Sequence, residues 1–182
     1  MQVNNNYSPN FGMALRIDPK AAGKLRGQTM EYLQTLKKAG EECATHKHVD
    51  LLLDENLVPI VKRRDCANAY YDYFRNNGFD GLASPDNCLA VSTRWAGSES
   101  VGLKKGENYT ANLVFETREE ASAARETLMA ADKVYDGITP ALEFAKLQEA
   151  SLAYKARVAE AAAKLQAQVD TEVENLMSAF TA

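Results

Sequence analysis

The alternation of apolar and polar positions divides the chain into short strands and amphipathic helices. Phe11, Met13, Leu15 and Ile17 alternate with Gly12, Ala14 and Arg16, and a period of two predicts a strand with one buried face. Asp18-Pro19 reads as an N-cap followed by proline at the first helical position, opening a helix to about Gly40. Its apolar face would be Ala22, Leu25, Tyr32, Leu33, Leu36 and Ala39, and Gly23 and Gly27 would let another backbone approach. Val49–Leu53 and Val58–Val61 predict a hairpin around Asp54-Glu55-Asn56, with Pro59 marking an edge strand because it lacks an amide donor. Asp65 caps an expected helix over 66–77, whose apolar face is Cys66, Ala69, Tyr70, Tyr73 and Phe74, and a loop follows from Phe79 to Asn87. Residues 89–95 and 109–115 alternate again and predict two neighbouring antiparallel strands. Thr117-Arg118-Glu119-Glu120 fits a capping box, opening a helix that ends near Asp136-Gly137, and Thr139-Pro140 opens the last one.

The resulting expectation is an α+β domain: a mainly antiparallel sheet of about five strands, helices on one face, and a long C-terminal helix. Residues 1–10 form a flexible lead-in, 11–137 the α+β domain, and 138–182 the long helix, with a break near 170 as one option.

That last helix carries the most information. Steps of 3.6 residues from Phe144 reach Leu147, Ser151, Tyr154, Val158, Ala162, Leu165, Val169, Val173, Leu176 and Phe180. One apolar face therefore persists to the end of the chain. Residues 140–180 in one helix extend ~60 Å, whereas a compact chain of this length is roughly 40 Å across. The helix should outreach its domain and leave an apolar stripe to be covered. Three coverings compete. The helix can break at the second capping pattern, Asp170-Thr171-Glu172-Val173-Glu174, and fold back; it can pair with another copy of the chain; or it can dock a different protein. A strict heptad from Phe144 meets Glu172, and its companion seam from Leu147 meets Gln168 and Asn175. The 3.5-residue period thus fails after about three heptads, which argues against a long left-handed supercoil.

Composition narrows the chemistry. The 182 residues carry 21 Lys+Arg against 25 Asp+Glu, a formal net charge of −4. That balance argues against general nucleic-acid binding, although Lys62-Arg63-Arg64 with Tyr70, Tyr71, Tyr73, Phe74 and Arg75 interleaves cations and rings. A polar N-terminus and the lack of an apolar run of ~20 residues predict a cytoplasmic protein that does not span a membrane. Cys43, Cys66 and Cys88 are odd in number and widely spaced, which does not suggest a disulfide framework.

Cys43, His46, His48 and Asp50 are the one group of metal-ligand types, yet their spacing matches no strong zinc pattern, so no metal or other cofactor is expected. Gly97–Lys105 imitates a phosphate-binding loop, but Leu103 stands at the lysine position and a strand comes next where a helix is needed. A serine nucleophile needs a histidine base, and the two histidines sit together outside any recognisable motif.

The stretches Asn10-Phe11-Gly12-Met13-Ala14-Leu15, Leu53-Asp54-Glu55-Asn56-Leu57-Val58-Pro59 and Ser92-Thr93-Arg94-Trp95-Ala96-Gly97 resemble uncharacterised bacterial proteins with an early "FG" strand and similar "DENLxP" and "TxWAG" segments. The resemblance spans roughly residues 10–130 and implies a bacterial origin but no activity.

The leading expectation is a non-enzymatic protein-interaction module, such as an inhibitor or adaptor. Its contact surface would be Leu165, Val169, Val173, Leu176 and Phe180. The rival is a small-anion or ligand-binding domain, enzymatic or not, that uses Arg16, Arg94, Thr110 and Asn112 on the polar sheet face with the 96–107 loop.

Overall fold

A computed structural model describes residues 14–65, 70–72, 79–83, 89–96 and 108–181, with side chains described for 14–65 and 113–181. The expected lead-in and the "FG" start of the first strand lie outside the described residues.

The first strand, β1, is Leu15–Ile17. Asp18 ends it and caps the next turn, its Oδ1 accepting a 2.8 Å hydrogen bond from the Lys20 amide, with Pro19 at the first helical position. The single helix expected over 19–40 is three pieces. A 3-10 turn, Pro19–Ala21, leads into a short α1, Ala22–Arg26, and then α2, Met30–Cys43. Gly27 closes α1, and Thr29 opens α2 by accepting at its Oγ1 from the Tyr32 amide at 3.2 Å. A second N-cap inside an apolar periodicity is thus the signal for the break. A Cβ at Gly23 would meet nothing within 4 Å, so the expected close approach does not occur there. It occurs at Gly40, where a Cβ would lie 3.1 Å from Leu15 Cδ2.

The hairpin forms as its turn residues suggest. β2, Val49–Leu53, pairs antiparallel with β3, Pro59–Arg63. Asp54 Oδ1 accepts from the amides of Asn56 (2.7 Å) and Val58 (2.8 Å), and Leu57 takes the left-handed backbone at φ 64°. The sheet continues through β4 (Tyr70–Asp72), β5 (Phe79–Ala83), β6 (Leu89–Ala96) and β7 (Asn108–Phe115).

The sheet differs from expectation in two ways. It is mixed, because β1 runs parallel to β2 while the other pairs are antiparallel. It also counts seven strands among the described residues rather than about five, in the order β1-β2-β3-β4-β6-β5 with β7 on β6. The extra strands replace an expected helix and loop: Tyr70–Asp72 pairs with β3, and Phe79–Ala83 pairs with β6. The remaining residues of the 66–77 and 79–87 segments lie outside the described residues. The Tyr70, Tyr73, Phe74 spacing is that of a helix face, but at Tyr70–Asp72 pairing with β3 overrides it. That pairing also makes β3 an interior strand, not an edge. Pro59 is tolerated because it stands at the first position of β3, before Ile60 meets Asp72. The expected pairing of the 89–95 and 109–115 segments holds, with Leu89 opposite Phe115 and Ala96 opposite Asn108.

After β7, Thr117 caps α3, Arg118–Ala131, and accepts from the Glu120 amide at 3.2 Å. The Glu120 carboxylate reaches back to the Glu116 amide (3.3 Å). This helix stops at Ala131, short of the expected Gly137. The last helix, α4, is Thr139–Phe180, continuous for 42 residues. The break near 170 is not used: Thr171 Oγ1 donates to the Ala167 carbonyl one turn back (2.9 Å), so its hydroxyl serves the helix rather than a new cap.

One core joins these elements. Val49, Leu51 and Leu53 of β2 pack with Val61, Leu113 and Phe115, with Leu36, Ala39 and Cys43 of α2, with Ala121, Ala124 and Leu128 of α3, and with Ala141, Leu142, Phe144, Ala145 and Leu152 of α4. The helices therefore lie on the sheet face that carries alternate residues of β2.

Candidate interaction surface

The start of α4 is capped locally by Asp136, and its first turns are fastened to the domain by Lys146, Glu149 and Ser151. Asp136 Oδ1 accepts from the amides of Ile138 (2.9 Å) and Thr139 (2.8 Å), and its other oxygen takes the Thr139 hydroxyl. Burial opposes ionisation of Asp136, but these hydrogen bonds outweigh it and hold the carboxyl below the usual carboxylate range. Lys146 Nζ bridges Glu42 of α2 and Glu143, both at 2.9 Å. Burial would lower the Lys146 pKa, yet its two carboxylate partners raise it above the ordinary lysine value.

Glu149 reaches the start of β2, where its two oxygens accept from the Lys47 and His48 amides at 2.7 Å each. Ser151, fully buried, offers its Oγ to the Val114 amide of β7 at 2.8 Å. No periodicity announces the bonds of Glu149 and Ser151, or that of Lys146 to Glu42, because each spans dozens of residues along the chain.

The anchoring ends abruptly. Ser151 and Leu152 are the last buried residues, Ala153 and Tyr154 are half-buried, and every residue from Lys155 to Thr181 is exposed. The helix from Lys155 to Phe180 therefore projects about 39 Å at 1.5 Å per residue. All five stripe residues expected from the sequence lie on this projection: Leu165 is 63% exposed, Val169 48%, Val173 50%, Leu176 50% and Phe180 82%. Val158 and Met177 are exposed beside them.

Side-chain bonds in the projection run along the helix itself. Lys164 pairs with Glu160 at 2.7 Å, Gln166 donates to Asp170 at 2.7 Å, and Ser178 donates to the Glu174 carbonyl at 2.9 Å. At its root the Arg157 guanidinium lies 5.8 Å from the centre of the Tyr154 ring. Alanines at 156, 159, 161, 162, 163 and 167 favour the helix locally. The exposed valines do not, so local propensity does not account for the stripe.

The rival set of residues is not assembled in the same way. Arg16 on β1 is largely exposed, and its Nη2 lies 4.0 Å from Asp50 Oδ2. Asp50 is buried and is held mainly by Arg64, whose Nε and Nη2 donate at 2.9 and 2.6 Å. Thr110 stands opposite Arg94, and Asn112 opposite Ser92, in the β6–β7 ladder. Three strands separate β1 from β6 along the sheet. The side chains of Arg94, Thr110 and Asn112, and residues 97–107 of the loop, lie outside the described residues.

Of the cysteine–histidine group, Cys43 belongs to the core, His46 and Asp50 are buried and His48 is half-buried. Cys43 is buried on α2, and burial pushes its thiol up to about 12. His46 is buried, which lowers its pKa. Among the described residues no three His, Cys, Asp or Glu side chains come together as a metal-binding group, and no helix is long and apolar enough to cross a membrane.

Comparison with protein-family models, curated proteins and solved structures finds no match to this chain.

Proposed function

We propose that this protein is a non-enzymatic interaction module that binds a protein partner through the apolar face of the projecting half of α4. The observation that carries the reading is the projection itself: about 39 Å of helix bears a continuous apolar stripe and, among the described residues, nothing of its own fold covers it.

The magnitudes agree. Roughly 90 Å² recovered from each of the five stripe side chains, at ~25 cal/mol per Å², is worth about 10 kcal/mol per helix. Association costs ~4–15 kcal/mol. A partner that contributes a comparable apolar face thus leaves a favourable balance. The domain acts as a scaffold, since Glu149, Lys146 and Ser151 fix where the helix leaves the sheet and so aim the stripe.

The test is removal of residues 165–182. Residues 165–181 make no buried contact, so the truncated protein should keep its circular dichroism per folded residue and its cooperative melt, and should lose association measured by mass in solution. Unfolding of the truncated chain would show that the helix end is part of the core and would end the proposal.

A further inference from the structure

The stripe has its own period. Val158, Val169 and Phe180 are eleven residues apart, as are Tyr154, Leu165 and Leu176, and Ala162 and Val173. Eleven residues in three turns is 3.67 per turn, close to the 3.6 of a straight helix, so the stripe stays nearly parallel to the helix axis along the whole projection. That explains why the heptad fails while the apolar face does not.

The same spacing reads alike in both directions. Two projections laid antiparallel and centred on Ala167 bring Tyr154 opposite the second copy's Phe180, Val158 opposite Leu176, Ala161 opposite Val173 and Leu165 opposite Val169. Each pairing lies within the exposed or half-buried part of α4.

Charge chooses the direction. Residues 153–166 hold Lys155, Arg157 and Lys164 with Glu160 as the lone carboxylate, while residues 167–182 hold Asp170, Glu172 and Glu174 and no cation. Antiparallel pairing sets the basic half of each helix beside the acidic half of the other. Parallel pairing sets three carboxylates against three carboxylates, which is unfavourable.

From this complementarity, and resting on the docking reading above, we propose that the partner of the stripe is a second copy of the chain, joined as an antiparallel helix pair through residues 154–180. The two sheet domains then sit at opposite ends of the paired helices.

Sedimentation of the full chain at up to roughly 100 μM, above the micromolar affinities that interfaces of this kind reach, tests the pairing. The expected result is a mass near twice 20.0 kDa, with association weakened by only a few fold as salt screens the charge pairing. Leu165→Asp, at an exposed position that leaves the fold intact, should yield the monomer. Mixing a Val158→Cys chain with a Leu176→Cys chain under mild oxidation, with the wild-type chain as control, should join the two different chains to each other. Crosslinks joining only like chains would overturn the antiparallel arrangement. A full chain that stays monomeric, but binds a hydrophobic dye that Leu165→Asp abolishes, would overturn the second copy as partner and leave the docking reading standing. A dimer indifferent to Leu165→Asp would overturn both.

Discussion

Glu149 offers the sharpest test of how the projecting helix is held. Its carboxylate accepts the Lys47 and His48 amides at 2.7 Å from about a hundred residues away, and so ties the N-terminal third of α4 to the residue pair just before β2. Hydrogen bonds to a charged group contribute ~1.5–3 kcal/mol each. The Lys47 amide is near solvent and water can replace its partner, whereas the His48 amide is part-buried and is left unsatisfied. Glu149→Ala should therefore cost about 2–3 kcal/mol. Glu149→Gln keeps one accepting oxygen and turns the other into a donor facing an amide, so it should cost roughly half as much. Urea titration should show a lower midpoint at unchanged slope. At ~2–4 °C per kcal/mol for a chain of this size, the melting point of the alanine variant should fall by about 5–10 °C. If both variants lie within about 0.5 kcal/mol of wild type, the carboxylate is only a surface group and α4 is located by apolar packing alone.

Ser151→Ala leaves the part-buried Val114 amide without its partner, and should cost ~1–3 kcal/mol by the same titration, although only one oxygen is removed; a neutral result would mean that water reaches β7. Gly23→Ala, on an exposed helix with open space around it, should stabilise by ~0.5–1 kcal/mol. Gly40→Ala should gain clearly less in thermal melts, because the new methyl presses on Leu15; equal gains would disprove the close packing of α2 on β1. Cys43 should resist alkylation at pH 8 until the chain is unfolded, since burial holds the thiol protonated. Its folded pKa is raised above the unfolded value, so its contribution is complete below the unfolded pKa of ~9 and is lost as pH climbs towards about 12. His46 works in the opposite direction. Its folded pKa is lowered, so the unfolded chain takes up the proton first and stability falls as pH drops below ~6.5. Replacement by His46→Gln should flatten that acid-side slope in pH-dependent melts; an unchanged slope would place its origin in the carboxylates.

Much of the local structure was written in the residues themselves. Asp18-Pro19, Asp54-Glu55-Asn56 and Thr117 to Glu120 mark turns and caps through bonds between neighbours, and each appears where the pattern puts it. The stripe from Val158 to Phe180 was legible for the same reason, because helical periodicity is a property of nearby positions. What the pattern left open was decided by partners distant in sequence. Tyr70–Asp72 became a strand because β3 offers it a ladder, Pro59 was tolerated inside the sheet because β4 ends at Asp72, opposite Ile60, and β1 runs parallel to β2 because α1 and α2 carry the chain back across it. The anchors Glu149, Lys146 and Ser151 carry no signature of their own, since a carboxylate, ammonium or hydroxyl on a helix looks the same whether it faces water or a buried partner. Whether α4 would turn back at 170 or run on was likewise a tertiary matter. A helix folds back only if the domain offers a face to receive it; among the described residues burial of α4 ends at Tyr154, and the helix runs on exposed from Lys155.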